Sequence, residues 1–476
     1  MHAIINGHIV LNDKILDGCA LLFDEKITGI VSRETLELAW QNEKRWQGKP
    51  LELTDACGAY VSPGFINLHI HGCNGADTMD AKEDTLDVMS RFLVQTGVTA
   101  FLPTTMTCAM PDVYKALERV REKMTVITRR RDEKHNPLQA AKDPEKETKP
   151  VNYDINRQLP ECAVTDQSAL PDVKTEESNS SLQGAKILGA YLEGPFISST
   201  YKGAQEEEYI IPADFSIIQG FADVIKVVVL APETLVSSCS REMLKTTGQT
   251  PGKETQSREV RINEMARLKD FIAQCQAHHI LVSLGHSAAD YGTAWQAIEE
   301  GASHITHLCN AMTGLHHRAP GLVGAAMDSH VTCELIADDL HVHPAVQRII
   351  YKNKDVTELE LVTDSMRACG LPDGISELGG QTVYVQDGAA RLADGTLAGS
   401  VVTLNKAMAN FRRNTGASIP EVVRMVTENQ AQEMGLFEKL GSLSPGAAAD
   451  ITVFDEEFTI LRTFVDGREV YKNPDF

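Results

Sequence analysis

The sequence of 476 residues lacks the features that would assign it to several common classes of protein. No run of 18 apolar residues occurs, so a transmembrane helix is not expected. The first residues, MHAIINGHIVLNDKILDG, contain neither a basic stretch nor a long apolar core, so no secretory signal is predicted. None of the ten cysteines forms a CxxC pair, which argues against a zinc ribbon or a disulfide framework. This cysteine usage favours a reducing compartment, and we expect a cytoplasmic protein.

Positive charge is also scarce. Lysine and arginine number 45 against 66 aspartates and glutamates, which gives a net charge of −21. Such a chain repels nucleic acids and anionic membranes, so neither is expected as a partner. A small anionic molecule remains a possible ligand, provided that local positive groups bind it. The length suits one large domain and a smaller one.

The order of strand-like and helix-like segments predicts the fold. The middle of the chain, 61–375, alternates the two kinds of segment, which is typical of βαβ units and a parallel sheet. Both ends, 1–60 and 376–476, instead contain short strand-like pieces with Asn-Gly, Asp-Gly and Pro-Gly turns. The sequence therefore predicts an α/β fold: a (β/α)₈ barrel over 61–375, and a small β-sandwich built from both termini. TVYVQDGAARL is assigned to that sandwich, and 376–476 also holds the last barrel helix.

Two polar segments, near 130–182 and 236–260, interrupt the alternation and resemble insertions. The first follows a helix, so we expect it at the face of the barrel away from the chemistry. The second follows the strand that ends in APE, so we expect it near the mouth of the barrel. Deleting 236–260 should therefore impair activity more than deleting 135–180.

Five apolar runs each end on a polar side chain that can bind a metal or exchange a proton. The runs are FINLHIHG, ILGAYLEGP, ILVSLGHS, HITHLCN and LELVTDS. They carry His69, His71, Glu193, His286, His307 and Asp364. Catalytic groups of the (β/α)₈ fold collect at the carboxyl ends of its strands. This pattern predicts a metal-dependent hydrolase.

His69 and His71 are two residues apart, so a strand would place both rings on one face. Imidazole suits zinc and iron, although an H-x-H pair alone is weak evidence. Glu193 is followed by Gly-Pro, a sharp exit that suits a carboxylate turned inward, where it could bridge two ions. The alternative for Glu193 is a solvated carboxylate at a strand end.

His286, His307 and Glu193 form a set of two imidazoles and one carboxylate. Catalytic zinc sites use such sets and leave one position open for water, whose pKa the ion lowers. The alternative for each histidine is a hydrogen-bonded core residue. Asp364 is the candidate general base, which takes a proton from water and returns it to the leaving amine. Its alternative role is a helix N-cap.

The remaining histidines are weaker candidates. His278 and His279 precede a strand, and His304 opens one, so we interpret these three as surface or structural residues. Four more are placed in loops at the mouth, where they could touch a substrate: His316, His317, His341 and His343.

Together these residues resemble the N-acetylglucosamine-6-phosphate deacetylases, a branch of the amidohydrolase superfamily. The resemblance runs over nearly the whole chain, through PGFINLHIHG, LEGPFISSTYKGAQ, LAPE, SLGHSAA, THLCNAM, RAPGLVGAAM, ADDLHVHP, LVTDSM and DGTLAGSVVTL. It implies that a divalent ion, zinc or iron, is held by Glu193, His286 and His307. His69 and His71 would hold a second ion with Glu193 as the bridge, and Asp364 would be the acid/base.

The resemblance also implies how the substrate, a small sugar phosphate, is bound. The sugar would contact Ala204 and the backbone around Asn310 and Ala311. The phosphate would meet Arg318 and His341, and Arg318 would reach across the interface of a homodimer. Arginine offers fixed charge and forked donors to a phosphate. The acetyl group would lie near Leu397, Ala398 and Gly399.

One position departs from the family pattern. Gln205 stands where some members have a histidine that helps to polarise the carbonyl. A second ion could take over this task, and with a single ion Gln205 would have to perform it less well. Two other functions stay open at this point. One is a different amide hydrolase, similar to a dihydroorotase or a dipeptidase, and the other is an inactive sugar-phosphate-binding protein.

Overall fold

The computed structural model of the chain describes residues 1–41, 44–135, 184–236 and 266–476. The two predicted insertions lie almost entirely outside these ranges. One correction concerns where the first begins: the helix Met110–His135 continues through residues 130–135, so the insertion starts after it.

Eight parallel strands form a nearly closed barrel, which confirms the predicted fold. Their continuous apolar runs are buried on both sides, as parallel strands covered by helices require. The strands, each hydrogen-bonded to the next, are β1 (Phe65–Ile70), β2 (Val98–Thr105), β3 (Ala190–Leu192), β4 (Ile225–Leu230), β5 (Leu281–Leu284), β6 (His304–Ile305), β7 (Thr332–Ile336) and β8 (Leu359–Val362). Just beyond β8, the backbone N–H of Asp364 donates to the carbonyl of His69 on β1 at 2.9 Å.

Helices pack around the barrel and below it. Those in the barrel segment are Thr85–Leu93, Met110–His135, Phe215–Ile218, 266–277, Tyr291–Glu299, Gly321–Met327 and Pro344–Asn353. Three more follow the last barrel strand: Leu404–Thr415, Ile419–Arg424 and Glu428–Glu433. The short strand Lys186–Ile187 pairs with β2 ahead of β3.

Both termini build a β-sandwich, as predicted. Its first sheet has the order Ile27–Ser32, Cys19–Phe23, His2–Ile5 and Glu52–Asp55. Its second sheet has the order Arg468–Lys472, Ile460–Val465, Ile451–Phe454, Tyr60–Pro63, His8–Val10 and Ile15–Leu16. A shared apolar core that includes Ile4, Leu21, Val61, Ile451 and Phe464 joins the two sheets. Only Gly64 separates the strand Tyr60–Pro63 from β1, so the sandwich leads directly into the barrel.

The prediction for TVYVQDGAARL was wrong. This segment does not join the sandwich but forms a separate antiparallel sheet of three strands, Gly374–Leu378, Gln381–Gln386 and Ala389–Arg391. Leu378 and Val383 of this sheet pack against Met106 and Met366, which follow β2 and β8. The sheet therefore covers the carboxyl end of the barrel. The limits 1–60, 61–375 and 376–476 stay a prediction.

In the described part of the chain, every helix is too short or too polar to cross a lipid bilayer.

Candidate metal centre and active site

The predicted site residues meet at the carboxyl ends of the barrel strands. His69 lies on β1 and His71 just after it, and Glu193 follows β3 directly. His286, His307 and Asp364 each stand two residues beyond a strand, after β5, β6 and β8. All six side chains are buried, with residue exposures of 8% or less.

The backbone at these positions is constrained. His286, His307 and Asp364 have φ of 44°, 30° and 45°, in the left-handed region that non-glycine residues rarely adopt. Such conformations are maintained where the surrounding structure enforces them, and they cluster at functional sites. Gly194, after Glu193, has φ of 77°, and a Cβ there would lie 1.9 Å from Oγ1 of Thr107. The local sequence thus aims each side chain at the cavity.

Glu193, His286 and His307 form one group of potential metal ligands. Oε1 of Glu193 lies 3.2 Å from Nε2 of His286 and 3.0 Å from Nε2 of His307. The two Nε2 atoms are themselves 3.0 Å apart. Two imidazole nitrogens and a carboxylate oxygen at these separations suit one divalent cation.

His69, His71 and Asp364 form a second group beside the first. Nε2 of His71 lies 3.2 Å from Oδ1 of Asp364, and Nε2 of His69 lies 3.5 Å from the same oxygen. The other oxygen of Glu193, Oε2, lies 3.1 Å from Nε2 of His71. Oε1 of Glu193 also lies 3.4 Å from Nε2 of His69, so the carboxylate faces both groups, as a bridging carboxylate would.

Hydrogen bonds fix the orientation of two of the imidazoles. Nδ1 of His286 lies 2.9 Å from the carbonyl of Tyr201, and Nδ1 of His69 lies 2.8 Å from Oε2 of Glu334. In each pair Nδ1–H is the donor, because the partner can only accept, and Nε2 keeps its lone pair. Metal-binding histidines are commonly oriented by such contacts. Sequence reasoning missed Glu334, although a glutamate inside the apolar run TCELIA was a visible signal.

The electrostatic environment keeps the two carboxylates ionised. Burial opposes ionisation of Glu193, but the nearby His286 and His69 hold its pKa well below the usual value. Burial likewise raises the pKa of Asp364, and His69 and His71 more than offset that effect, so its pKa is lowered. An ionised Asp364 can accept a proton, as a general base must.

Gln205 positions Glu193 and does not point freely into the cavity. Its Nε2–H donates to Oε2 of Glu193 at 2.7 Å, and its Oε1 accepts from the backbone N–H of Thr107 at 2.6 Å. Since both ends of the amide are engaged, we infer that Gln205 orients the carboxylate and does not polarise a substrate carbonyl.

A cavity of about 230 Å³ opens above the two groups of ligands. This volume admits a small molecule. Its lining includes most of the predicted substrate-binding residues: Ala204, Gln205, Asn310, Ala311, His341, Leu397 and Gly399. It also includes four residues that were not predicted: Met106, Gly203, Leu378 and Thr396.

Two predicted substrate-binding residues do not line this cavity. Ala398 is fully buried in the apolar cluster of Met106 and Met366. Arg318 is exposed, and its Nη1 contacts Nε2 of His317 at 2.7 Å. Within one chain, therefore, Arg318 does not reach the site.

Of the weaker histidine candidates, one lines the cavity and others lie outside it. His341 lines the cavity, and its Nδ1 lies 2.6 Å from Oδ2 of Asp338. His343, expected near a substrate, instead caps the helix Pro344–Asn353, with Nδ1 accepting from the N–H of Ala345. His316 and His317 are exposed, and their rings contact each other at a tilt of 45° outside the cavity lining. His278 stacks on Phe215, away from the site.

Comparison with known proteins supports the fold and identifies the family. The sequence profile of the Amidohydrolase family matches residues 179–470. The N-acetylglucosamine-6-phosphate deacetylase of Bacillus subtilis is 35% identical over 87% of this chain and 86% of its own length. That of Vibrio furnissii is 32% identical over 86% of this chain and 83% of its own. A crystal structure of the Pasteurella multocida deacetylase superposes with a TM-score of 0.74 at 29% identity, covering 99% of this chain and 100% of that one. The chain therefore belongs to the amidohydrolase family, in the branch of the N-acetylglucosamine-6-phosphate deacetylases.

Proposed function

We propose that this amidohydrolase removes the acetyl group from N-acetylglucosamine 6-phosphate, giving glucosamine 6-phosphate and acetate in amino-sugar breakdown. The observation that carries the proposal is the meeting of Glu193, His286 and His307 beside Asp364 at the floor of a cavity of small-molecule size. Neither general alternative, a different amide hydrolase or an inactive binding protein, accounts for both the complete set of ligands and the deacetylase relatives.

Asp364 is the proton carrier of the proposed reaction. A water molecule attacks the carbonyl carbon of the amide, and Asp364 accepts its proton. The C–N bond then breaks, and Asp364 returns the proton to the departing amine nitrogen. Glu193, His286 and His307 would hold a divalent ion, which would supply the Lewis acidity that lowers the pKa of the attacking water and stabilises the developing oxyanion. Gln205 keeps Glu193 in place, and Leu397 and Gly399 enclose the acetyl end of the cavity.

The donor set supports two ions, zinc or iron. His69 and His71 retain imidazoles whose Nε2 atoms face both Glu193 and Asp364, so a second ion would share Glu193 with the first. Imidazole and carboxylate ligands together suit first-row transition metals better than magnesium or calcium.

The composition of the described cavity lining supports a homodimer, because a cation for the phosphate would have to come from elsewhere. His341 is the only histidine outside the two ligand groups among the described cavity-lining residues, and no arginine or lysine is among them. A phosphate needs a cation, and Arg318 is exposed, three residues after Leu315 in the sequence. Leu315 and Leu340 are 62% and 43% exposed, as interface residues would be in an isolated chain. We place Arg318 in the site of the partner subunit, in a cytoplasmic enzyme.

The substrate is tested by acetate release from three sugars. N-acetylglucosamine 6-phosphate should be hydrolysed, and N-acetylglucosamine at least about 100-fold less efficiently, since several charge-assisted contacts to phosphate would be lost. The rate with N-acetylgalactosamine 6-phosphate shows how strongly the enzyme discriminates the configuration at C4. Equal rates with and without the phosphate would refute the proposed substrate, and no acetate from any of the three would refute the activity.

A further inference from the structure

A second cluster of titratable side chains lies inside the barrel, below the active site. It consists of His304 on β6, Glu360 on β8 and Glu433 at the end of the helix Glu428–Glu433. One potential ligand atom of each lies within 4.8 Å of the other two. His304 opens β6, whereas His307 stands beyond its carboxyl end, so the cluster occupies the opposite end of this strand.

Most of the polar side-chain atoms of the cluster have no hydrogen-bond partner among the described residues. His304 and Glu360 are fully buried, and both carboxylate oxygens of Glu360 lack a hydrogen-bond partner. The same is true of Oε2 of Glu433. Nδ1 of His304 lies 3.2 Å from Oε1 of Glu433, but in a geometry that makes no hydrogen bond. Buried polar groups without partners are destabilising, so this concentration of them needs a ligand to explain it.

The active site also contains a buried imidazole nitrogen that faces carboxylate oxygens without forming a hydrogen bond. Nε2 of His69 faces Glu193 and Asp364 at 3.4 and 3.5 Å, and it too lacks a hydrogen bond. In both places an imidazole nitrogen faces carboxylate oxygens at a distance that allows a shared ion but with no hydrogen bond between them.

Glu334 links the two places. Its Oε2 accepts from Nδ1 of His69, and its Oε1 lies 3.2 Å from Nε2 of His304. Glu334 and Glu360 are register partners on β7 and β8, so both side chains point into the barrel. A carboxylate that accepts the N–H of a histidine fixes which nitrogen remains free to bind metal. Glu334 thus turns Nε2 of His69 toward the active site and Nδ1 of His304 toward the lower cluster.

We propose that His304, Glu360 and Glu433 bind a divalent transition-metal ion in the barrel interior, separate from the catalytic centre. Two carboxylates and a neutral imidazole balance the charge of such an ion and give each unpartnered atom a ligand role. Imidazole favours zinc or iron over calcium. Glu433 has 8% of its side chain exposed, while the side chain of His304 is fully buried, so the ion would enter past this helix.

In the alternative arrangement, protons on Glu360 and His304 offset the negative charge of the cluster, and no metal ion is bound. Burial and the neighbouring Glu433 raise the pKa of Glu360 well above its usual value, so this carboxyl would be neutral without a cation. A charged His304 would then lie between Glu334 and Glu433. That arrangement still leaves the oxygens of Glu360 without partners, which is why we favour the ion.

Crystals of the full chain equilibrated with Zn²⁺, with data collected at the zinc absorption edge, test the proposal. We expect an anomalous peak about 2.0–2.2 Å from the ligand atoms of His304, Glu360 and Glu433. Absence of that peak in crystals whose catalytic centre is occupied would overturn the proposal and favour the proton arrangement. The test does not depend on the sugar substrate, so failure of the proposed deacetylase activity would leave it intact.

Metal content in solution provides a second test. Glu360→Gln should bind one zinc equivalent fewer than the wild type after dialysis. Glu428→Gln is the matched control, because Glu428 is on the same helix as Glu433 but bonds Arg424 instead; it should keep the full content. Equal zinc content in the wild type and Glu360→Gln would contradict the proposal. Should Glu360→Gln fail to fold, the wild-type anomalous map alone decides.

Discussion

Nε2 of His286 and Nε2 of His307 lie 3.0 Å apart and face each other across the floor of the cavity. Since Nδ1–H of His286 donates to the carbonyl of Tyr201, its Nε2 carries a lone pair. Neutral His307 in the matching tautomer would bring two lone pairs into contact. A cation bound by Glu193 would attract both lone pairs and remove their repulsion. The proposed chemistry depends on such a cation.

Replacing the proposed proton carrier should strongly lower turnover, whereas the ion at Glu193, His286 and His307 should be retained. Asp364→Asn keeps the size of the side chain but cannot accept a proton. We expect turnover to fall by about 10²–10⁴, the usual contribution of general acid/base catalysis. Acetate release measures the effect, and metal content and thermal unfolding check that the site is intact. Turnover near the wild-type rate would remove Asp364 from its role.

Mixing two inactive variants tests whether Arg318 acts on the partner subunit. Arg318→Ala lacks the phosphate ligand, and Asp364→Asn lacks the proton carrier. Random reassociation makes half of the dimers mixed, and one site in each mixed dimer is complete, so about a quarter of wild-type activity should return. The two variants are denatured together and refolded, and each variant refolded alone is the control. No recovery in a mixture shown to exchange subunits would place Arg318 in its own chain or outside the site.

The contact between Asp338 and His341 should stabilise the protein in a pH-dependent way. Burial raises the pKa of Asp338, but hydrogen bonds from the side chain and backbone of His341 and from the N–H of Leu340 lower it below the usual value. A carboxyl with a lowered pKa stabilises the folded state above its unfolded pKa of about 3.9, and the effect is lost as the pH falls toward the folded value.

Asp338→Asn should therefore lower the free energy of unfolding at pH 7 by about 1.5–3 kcal/mol, the range for hydrogen bonds to charged groups. The difference from wild type should shrink below about pH 4. Denaturant unfolding of both proteins at several pH values provides the comparison. A difference that stays constant from pH 7 to the lowest pH at which both fold would show that the ionised carboxylate is not its source.

Replacing Gly194 should weaken metal binding, because its backbone conformation and the nearby Thr107 leave no room for a side chain. A methyl group there would clash with Thr107 and would sit at a φ of 77°, so the chain that carries Glu193 must shift. We expect Gly194→Ala to lose about 10–100-fold in metal affinity, as after loss of a contact that orients a ligand. Competition with a chelating dye measures the affinity. Gly220→Ala, where a Cβ would have no neighbour within 4 Å, is the control and should bind normally.

The convergence of the candidate site residues was predictable from sequence because they end otherwise apolar strands. His286, His307 and Asp364 each end such a run, and a parallel barrel brings the ends of its strands together. The positive φ values at these three positions were not predictable, since nothing in a histidine or aspartate sequence signals a left-handed backbone.

Other features required the structure because the sequence does not specify which elements pair. TVYVQDGAARL shows strand periodicity, but alternation identifies a strand and not the sheet that it joins. His341 and His343 lie in one short motif, yet one lines the cavity and the other caps a helix. His304 was interpreted as structural, and only its proximity to Glu360 and Glu433 suggests a ligand role.

Removal and return of the metal ion test whether hydrolysis by this protein depends on metal. Protein dialysed against a strong chelator should release no acetate from N-acetylglucosamine 6-phosphate, and zinc or iron(II) should restore the rate. Restoration should fail in His286→Ala and His307→Ala at the ion concentration that restores the wild type. Full activity in protein shown by elemental analysis to hold less than about one-hundredth of an equivalent of metal would contradict the account, because the deacetylation proposed here is metal-dependent.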